Sequence, residues 1–426
     1  MKSKAKFFFV VLALMAISVM LPAGAEAAKP IVLGAPLSTA FLYGWDADRA
    51  MQLAVKEIND AGGVKVGKET RPFKLEVIDT RDLEPGVPVS EALLAVDKLI
   101  LEKKADFIVG GPVRSEAALA AMSLIAKHKK VSVLTTGALS PKYHKTVEKN
   151  PEKFKHLFRI SGEAVWMVTG ELIPCMVDIG ERFKLNKLFI MIQDVAHARK
   201  GGEIISKIMT KKGWKVLDTE IYPTGATDFS MGLIKAKKMG AQVIMIWMDM
   251  PETSILLKQW HDMKVPALPF GSIIAAAEQP GFWKATDGKG EYCLANVVNA
   301  GNAPSEATPW TMKFVNAYKK MWGVEPEGYG TSSSYMAVYA IKDAIERAGT
   351  LDSDKVADAM KKIDLMGVYG RIKFDPKSNQ VIPSNDPQKG AVGTIFQWQD
   401  GKRVVVFPKS IATGQIMLPP WMKAGK

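Results

Sequence analysis

Three short stretches of this 426-residue chain carry residue types suited to holding a small charged molecule. Arg114-Ser115 places a guanidinium beside a hydroxyl, and the planar guanidinium fork fits a carboxylate through two parallel hydrogen bonds. Gly137-Ala138-Leu139 is a compact run that brings backbone close to a ligand, and Tyr43 stands among the small and turn-forming residues of 34–44. Covalent chemistry has no comparable set. The five histidines, at 128, 144, 156, 197 and 261, lack metal-ligand spacing, and the two cysteines cannot form a zinc site by themselves. No G-x-S-x-G elbow, Walker loop or helix-opening G-x-G-x-x-G is present. Gly110-Gly111 lies near Arg114 but lacks the Lys and Ser/Thr of a phosphate loop. Asp79 and Asp82 read as a solvated strand end rather than a working carboxylate pair. The expectation is a binding protein, not an enzyme, with no metal and no cofactor.

Each of the three stretches leaves a strand and enters a helix. Ile31, Val32 and Leu33 read as a short buried strand, and Ala47, Met51, Ala54, Val55, Ile58 and Ala61 recur at helical spacing behind Asp46 as N-cap. Further strands are expected over 73–78, 106–110 and 131–135, with Ser115 capping the helix after the second of these. Loops at the carboxyl ends of parallel strands gather along one sheet edge, where ligands bind. A second strand–helix alternation, with strands over 187–193, 215–222, 241–247 and 265–270, predicts a second parallel sheet. The fold class is therefore α/β.

The first residues read as an export signal. Lys2, Lys4 and Lys6 precede an apolar run over 7–21, and Ala25-Glu26-Ala27 is a small-x-small cleavage site. Cleavage after Ala27 is expected, with no lipid anchor because no Cys lies nearby. Hydrophobic residues make up 47% of the chain, ample for two domain cores. The formal charge of +13 comes from scattered basic residues rather than a patch interleaved with aromatics, so no nucleic-acid partner is expected.

The order strand, G-A-P-L-S, Tyr43-Gly44, helix, N-D-A-G-G-V resembles the opening of the periplasmic leucine/isoleucine/valine-binding protein family. The resemblance continues through Leu157-Phe158-Arg159-Ile160, the helix text Y-M-A-V-Y-A-I-K-D-A-I-E-R-A-G, Gly370-Arg371-Ile372-Lys373-Phe374-Asp375, and Phe396-Gln397-Trp398. It implies a two-lobe type I periplasmic binding protein fold. Each lobe would be a mainly parallel sheet flanked by helices, and three hinge crossings would join them, near 157–161, 272–277 and 388–394. Lobe one is expected over 28–158 plus 276–390, and lobe two over 159–275 plus 391–426. On this division Cys175 and Cys293 lie in different lobes and are expected to stay unbonded. The implied role is a monomeric periplasmic solute-binding protein that delivers its ligand to an ABC transporter permease at the inner membrane. An extracellular sensor domain of the same fold is the alternative.

The resemblance also implies a ligand site between the lobes. It places carboxylate contacts at Arg114-Ser115 and at Gly137, Ala138 and Leu139. Where the family has an acidic residue for the ligand's ammonium, this chain has Ile273. Where tyrosines are expected, it has Ala198 beside His197, and Asp249 near Trp247. Tyr43, Leu139, Trp166 and Trp247 would wall in an apolar body. An aliphatic or aromatic acid held by Arg114 is the favoured ligand, and a branched-chain amino acid pairing with Asp249 is the rival.

Overall fold

The computed structural model describes residues 28–423 apart from 136. The signal-peptide reading of 1–27 lies outside the described residues. Two sheets organise the chain. The first is a parallel five-stranded sheet in the order Phe73–Asp79, Ile31–Leu37, Phe107–Gly110, Ser132–Leu134, Leu157–Arg159. Helices cover both of its faces, which is why its central strands read as nearly continuous apolar runs. Ile31, Leu33, Ala35 and Leu37 point to the face shared with the helix Leu42–Asp60, while Ile108, Leu134 and Leu157 point to the other. The long helix Thr331–Ala348 packs on Leu42–Asp60 and completes this lobe.

The second sheet has seven strands in the order Lys402–Phe407, Thr394–Gln399, Leu294–Val297, Leu268–Ile274, Val243–Met248, Lys187–Gln193, Lys215–Tyr222. Leu294–Val297 continues the parallel set beside Leu268–Ile274 and pairs antiparallel with Thr394–Gln399 on its other side. This corrects the expected division, which gave 276–298 to lobe one. The strand is needed to cover the edge of Leu268–Ile274, and the chain changes sheet only between Val297 and Pro309. The other two passages run between Arg159 and Ala164 and between Ala391 and Thr394.

Three local expectations also change. The first helix begins at Leu42, and Asp46 lies inside it, fully buried, accepting a hydrogen bond from Thr331 Oγ1 at 2.6 Å. Asp82 is likewise buried rather than solvated. It accepts from Thr80 Oγ1 at 2.6 Å and from the Arg114 N–H at 2.6 Å, so Asp82 rather than Ser115 satisfies the start of the helix Ser115–Lys127. Both cysteines are free and buried, but for a different reason from the one expected. Cys293 packs with Ala295 and Val297, whereas Cys175 packs with Leu188, Ile190 and Leu294. Alternate strand residues face opposite ways, so the two thiols lie on opposite faces of one sheet.

Candidate binding cleft

Loops from the two lobes converge on a pair of tyrosines. Tyr43, in the first turn of Leu42–Asp60, meets Tyr329 edge-on, with ring centroids 4.8 Å apart at 84°. Tyr43 and Leu139 from lobe one pack against a cluster that holds Trp247 and Ile273 of lobe two together with Tyr329. Burial, then the carboxyls of Glu278, Asp249 and Asp46, push the Tyr43 phenol well above its usual range. Burial, Tyr43, Glu278, Asp249 and Glu171 do the same to Tyr329. Both phenols therefore stay protonated across the physiological range.

Glu278 is the group that sequence reasoning missed. It ends the short helix Ala275–Glu278, is 1% exposed, and has no hydrogen-bond partner for either carboxyl oxygen among the described residues. Burial, then the nearby Asp46, raise its pKa well above the carboxylate range, with Arg403 acting in the opposite direction. Arg403 donates to the Glu278 backbone carbonyl at 2.7 Å and to the Glu325 carboxylate at 2.9 Å. A signal was present: Glu278 is the only acidic residue between Asp262 and Asp287. Ile273, where the acidic residue was sought, is 6% exposed and holds φ at 55°. That backbone region costs a β-branched residue about 1–3 kcal/mol, and such strain clusters at ligand sites.

The remaining residues divide into those at the cleft and those beside it. Asp249 follows Val243–Met248, donates its N–H to Gln193 Oε1 at 3.1 Å, and lies 3.5 Å from His197 Nε2. His197 and Asp249 are 49% and 34% exposed, which places the pair at the rim. Trp247 is buried beneath the helix Ala196–Lys211, and a Cβ at Gly201 would come within 2.1 Å of its ring. Only glycine permits that approach.

Gly137 holds φ at 59° and fits tightly against Val113, which turns the chain so that Ala138 is buried and Leu139 reaches the cluster. Arg114 and Ser115 stand apart from the tyrosine pair. The Arg114 Nη2 donates to the Val87 carbonyl at 3.3 Å, so its hydrogen bonds run within lobe one, and Ser115 makes no side-chain cap.

Trp166 lies at the hinge, its ring over Gly170 in the π-helical turn Met167–Leu172. Glu163 accepts the Val165 and Trp166 N–H groups at 2.8 and 2.7 Å and so starts this segment. Glu171 sits where the three passages between lobes meet. It accepts from Asn296 Nδ2 at 2.6 Å, and a Cβ at Gly393 would come within 2.1 Å of Oε1. Burial pushes its pKa up to about 8, with Asn296 and Trp166 pulling down and Glu163 pushing up.

An open cavity of about 590 Å³ lies elsewhere, on the outer face of the helix Ile173–Phe183, lined by Pro174, Asp178, Lys212, Phe407 and Lys409 among others. It includes none of these groups. Among the described residues no cluster of three or more His, Cys, Asp or Glu is arranged to hold a metal ion. No helix among them is long and apolar enough to cross a membrane.

Known proteins share this fold. A Leu/Ile/Val-binding protein homolog of Brucella melitensis is 23% identical over 386 residues, covering 88% of this chain and 89% of its own. The crystal structure of a putative branched-chain amino acid ABC transporter from Silicibacter pomeroyi aligns with a TM-score of 0.80 at 19% identity, covering 92% of this chain and 100% of that one. The branched-chain amino acid transporter substrate binding protein of Streptococcus pneumoniae, solved with isoleucine, aligns at 0.68 with 21% identity, covering 92% and 100%. The fold is thus the two-lobe α/β architecture of ABC-transporter substrate-binding proteins. Residues 5–402 match the family described as periplasmic binding protein, and the chain belongs to that extracytoplasmic family.

Proposed function

We propose that this protein captures an amino-acid-like solute between its lobes and presents it to the permease of an ABC importer. In this reading it is exported with 1–27 as a cleaved signal peptide and works in the periplasm as a monomer. The observation that carries the ligand class is Glu278. A buried carboxyl with no donor of its own is costly to ionise, and a ligand ammonium would supply the missing partner. Asp249 stands near enough to influence the same two phenols, so the wall facing the ligand is acidic. The phenols of Tyr43 and Tyr329 would donate to the solute, and Leu139 and Trp247 would enclose its apolar body.

This shifts the emphasis from the organic acid favoured on sequence. Arg114 is directed toward Val87, whereas carboxyl groups surround the tyrosines. The solute's carboxylate would be met by the loops at 114–115 and 137–139. A thermal-shift screen with amino acids, aliphatic acids and aromatic acids identifies the class, since a ligand that binds only the folded state raises Tm. Calorimetry then compares leucine with 4-methylpentanoate, which lacks the ammonium. Leucine should bind the unaltered protein, and Glu278→Gln should weaken it by about 2–5 kcal/mol. Tighter binding of 4-methylpentanoate, indifferent to Glu278→Gln but lost in Arg114→Ala, would establish the organic-acid reading instead.

A further inference from the structure

Arg159 is fully buried at the end of the strand Leu157–Arg159, and no carboxylate lies within hydrogen-bonding distance of it among the described residues. A guanidinium held in that way needs neutral acceptors for its donors. It finds them in one small region. Nη1 donates to the carbonyls of Ala138 and Ser140 at 2.9 and 3.0 Å, Nε to Gln380 Oε1 at 2.5 Å, and Nη2 to His144 Nδ1 at 2.8 Å. The intervening carbonyl, Leu139, accepts from the Ala164 N–H at 3.1 Å. Arg159 thus draws the Ala138 and Ser140 carbonyls to itself, while the Ala164 N–H holds the Leu139 carbonyl.

In a trans peptide the N–H points opposite to the carbonyl of the same unit. Fixing the Ala138 carbonyl toward Arg159 therefore turns the Leu139 N–H to the opposite side. That N–H has no partner among the described residues. The outward side of the loop is the cleft side, because Leu139 packs there against the cluster with Trp247 and Tyr329. A backbone N–H without a partner, aimed into a cleft, is a donor suited to a carboxylate.

We infer that Arg159 is a positioning residue: by anchoring the Ala138 carbonyl, it aims the Leu139 N–H at the carboxylate of the bound solute. The inference rests on the proposed solute-binding role. It needs only the solute's carboxylate, which the amino-acid and organic-acid readings share.

The test replaces carboxylate by amide in both series, using leucine against leucinamide and 4-methylpentanoate against 4-methylpentanamide, with calorimetry on the unaltered protein, Arg159→Met and Arg159→Lys. The unaltered protein should prefer the carboxylate by at least about tenfold in the series that binds. Arg159→Met should lower that preference about tenfold or more while leaving amide affinity nearly unchanged. Arg159→Lys, whose ammonium lacks the fork, should fall between and carries the test if the Met variant does not fold. An unchanged preference in a folded variant, or equal weakening of carboxylate and amide, would reduce Arg159 to a structural residue and overturn the inference. No carboxylate preference in the unaltered protein, in either series, would overturn it too. Binding confined to the 4-methylpentanoate series would refute the ammonium reading above and leave the Arg159 test intact.

Discussion

In the proposed binding mode lobe one meets the solute with a backbone N–H, whereas the opposing wall carries the carboxyls of Glu278 and Asp249. Each wall is anchored from behind by a buried arginine. Arg159 holds the loop of Ala138–Ser140 through neutral acceptors. Arg403 holds Glu278, Asn302 and Pro326 through their carbonyls at 2.7, 3.4 and 3.1 Å and adds an ion pair with Glu325. The difference is the anchor's charge balance. Arg159 has no hydrogen-bonded carboxylate, and Glu163 acts on it only from a longer range, which favours an anion in front of it. Near Arg403 the charge is matched by Glu325, so the Glu278 carboxyl gains little compensation and its pKa stays raised by burial and by Asp46. A donor wall opposite an acidic wall is what a zwitterion requires.

The largest expected effect separates the two anchors. Arg403→Ala leaves Glu325 with only the exposed Lys319 at 3.4 Å and three carbonyls without a donor, so it should cost about 3–5 kcal/mol of stability in urea unfolding. A loss below about 1 kcal/mol would mean that the ion pair contributes nothing and that the two anchors are alike. Next comes the hinge between the walls. The folded pKa of Glu171, about 8, lies above its unfolded value of 4.5, so the folded state holds the proton longer and stability should fall as pH rises from about 4.5 to 8. Glu171→Gln, which mimics the protonated form, should match the unaltered protein near pH 5 and exceed it by about 2–4 kcal/mol near pH 8. Parallel pH–stability curves for the two proteins would exclude Glu171 as a titrating hinge group.

A smaller effect belongs to the anchor of the donor wall. Burial, then Arg159, push the His144 imidazole down to about 4, so the folded state keeps it neutral while the unfolded chain takes up a proton near pH 6.5. Stability should therefore fall as pH drops from about 6.5 to 4. His144→Gln should remove about 1 kcal/mol of that decline, a figure discounted for the ring's partial exposure. An acid limb that is unchanged in this variant would show that His144 is not held neutral. The smallest effect is at the rim. The exposed His197–Asp249 pair should contribute under about 0.5 kcal/mol, so His197→Ala should leave Tm almost unchanged. A larger drop would mean that the acidic wall depends on His197 for its charge balance.

Much of the architecture was legible from local pattern. Apolar runs ending in Gly-rich loops marked the strands of both sheets, and helical spacing marked Leu42–Asp60 and Thr331–Ala348. The site was only partly legible. Tyr43, Leu139, Trp247 and Asp249 do converge, whereas Arg114 turns to Val87 and Trp166 to the hinge. Chain order locates a loop, but the direction of a long side chain depends on which acceptors surround it, and for Arg114 that acceptor is the Val87 carbonyl.

By itself the sequence determined the α/β class, the two strand–helix alternations and the loops that could meet a ligand, because these follow from period, turn chemistry and strand direction over short windows. Only the tertiary structure decided four further things. Leu294–Val297 joins the second sheet because Leu268–Ile274 and Thr394–Gln399 lie ready on either side of it. The cysteines fall on opposite faces of that sheet through strand parity, not lobe membership. Glu278 becomes a buried carboxyl without a donor, and Arg159 the anchor of a loop that precedes it in the chain. Burial and the supply of hydrogen-bond partners come from residues distant in sequence, and they set both the charge state of a carboxyl and the direction of a peptide N–H.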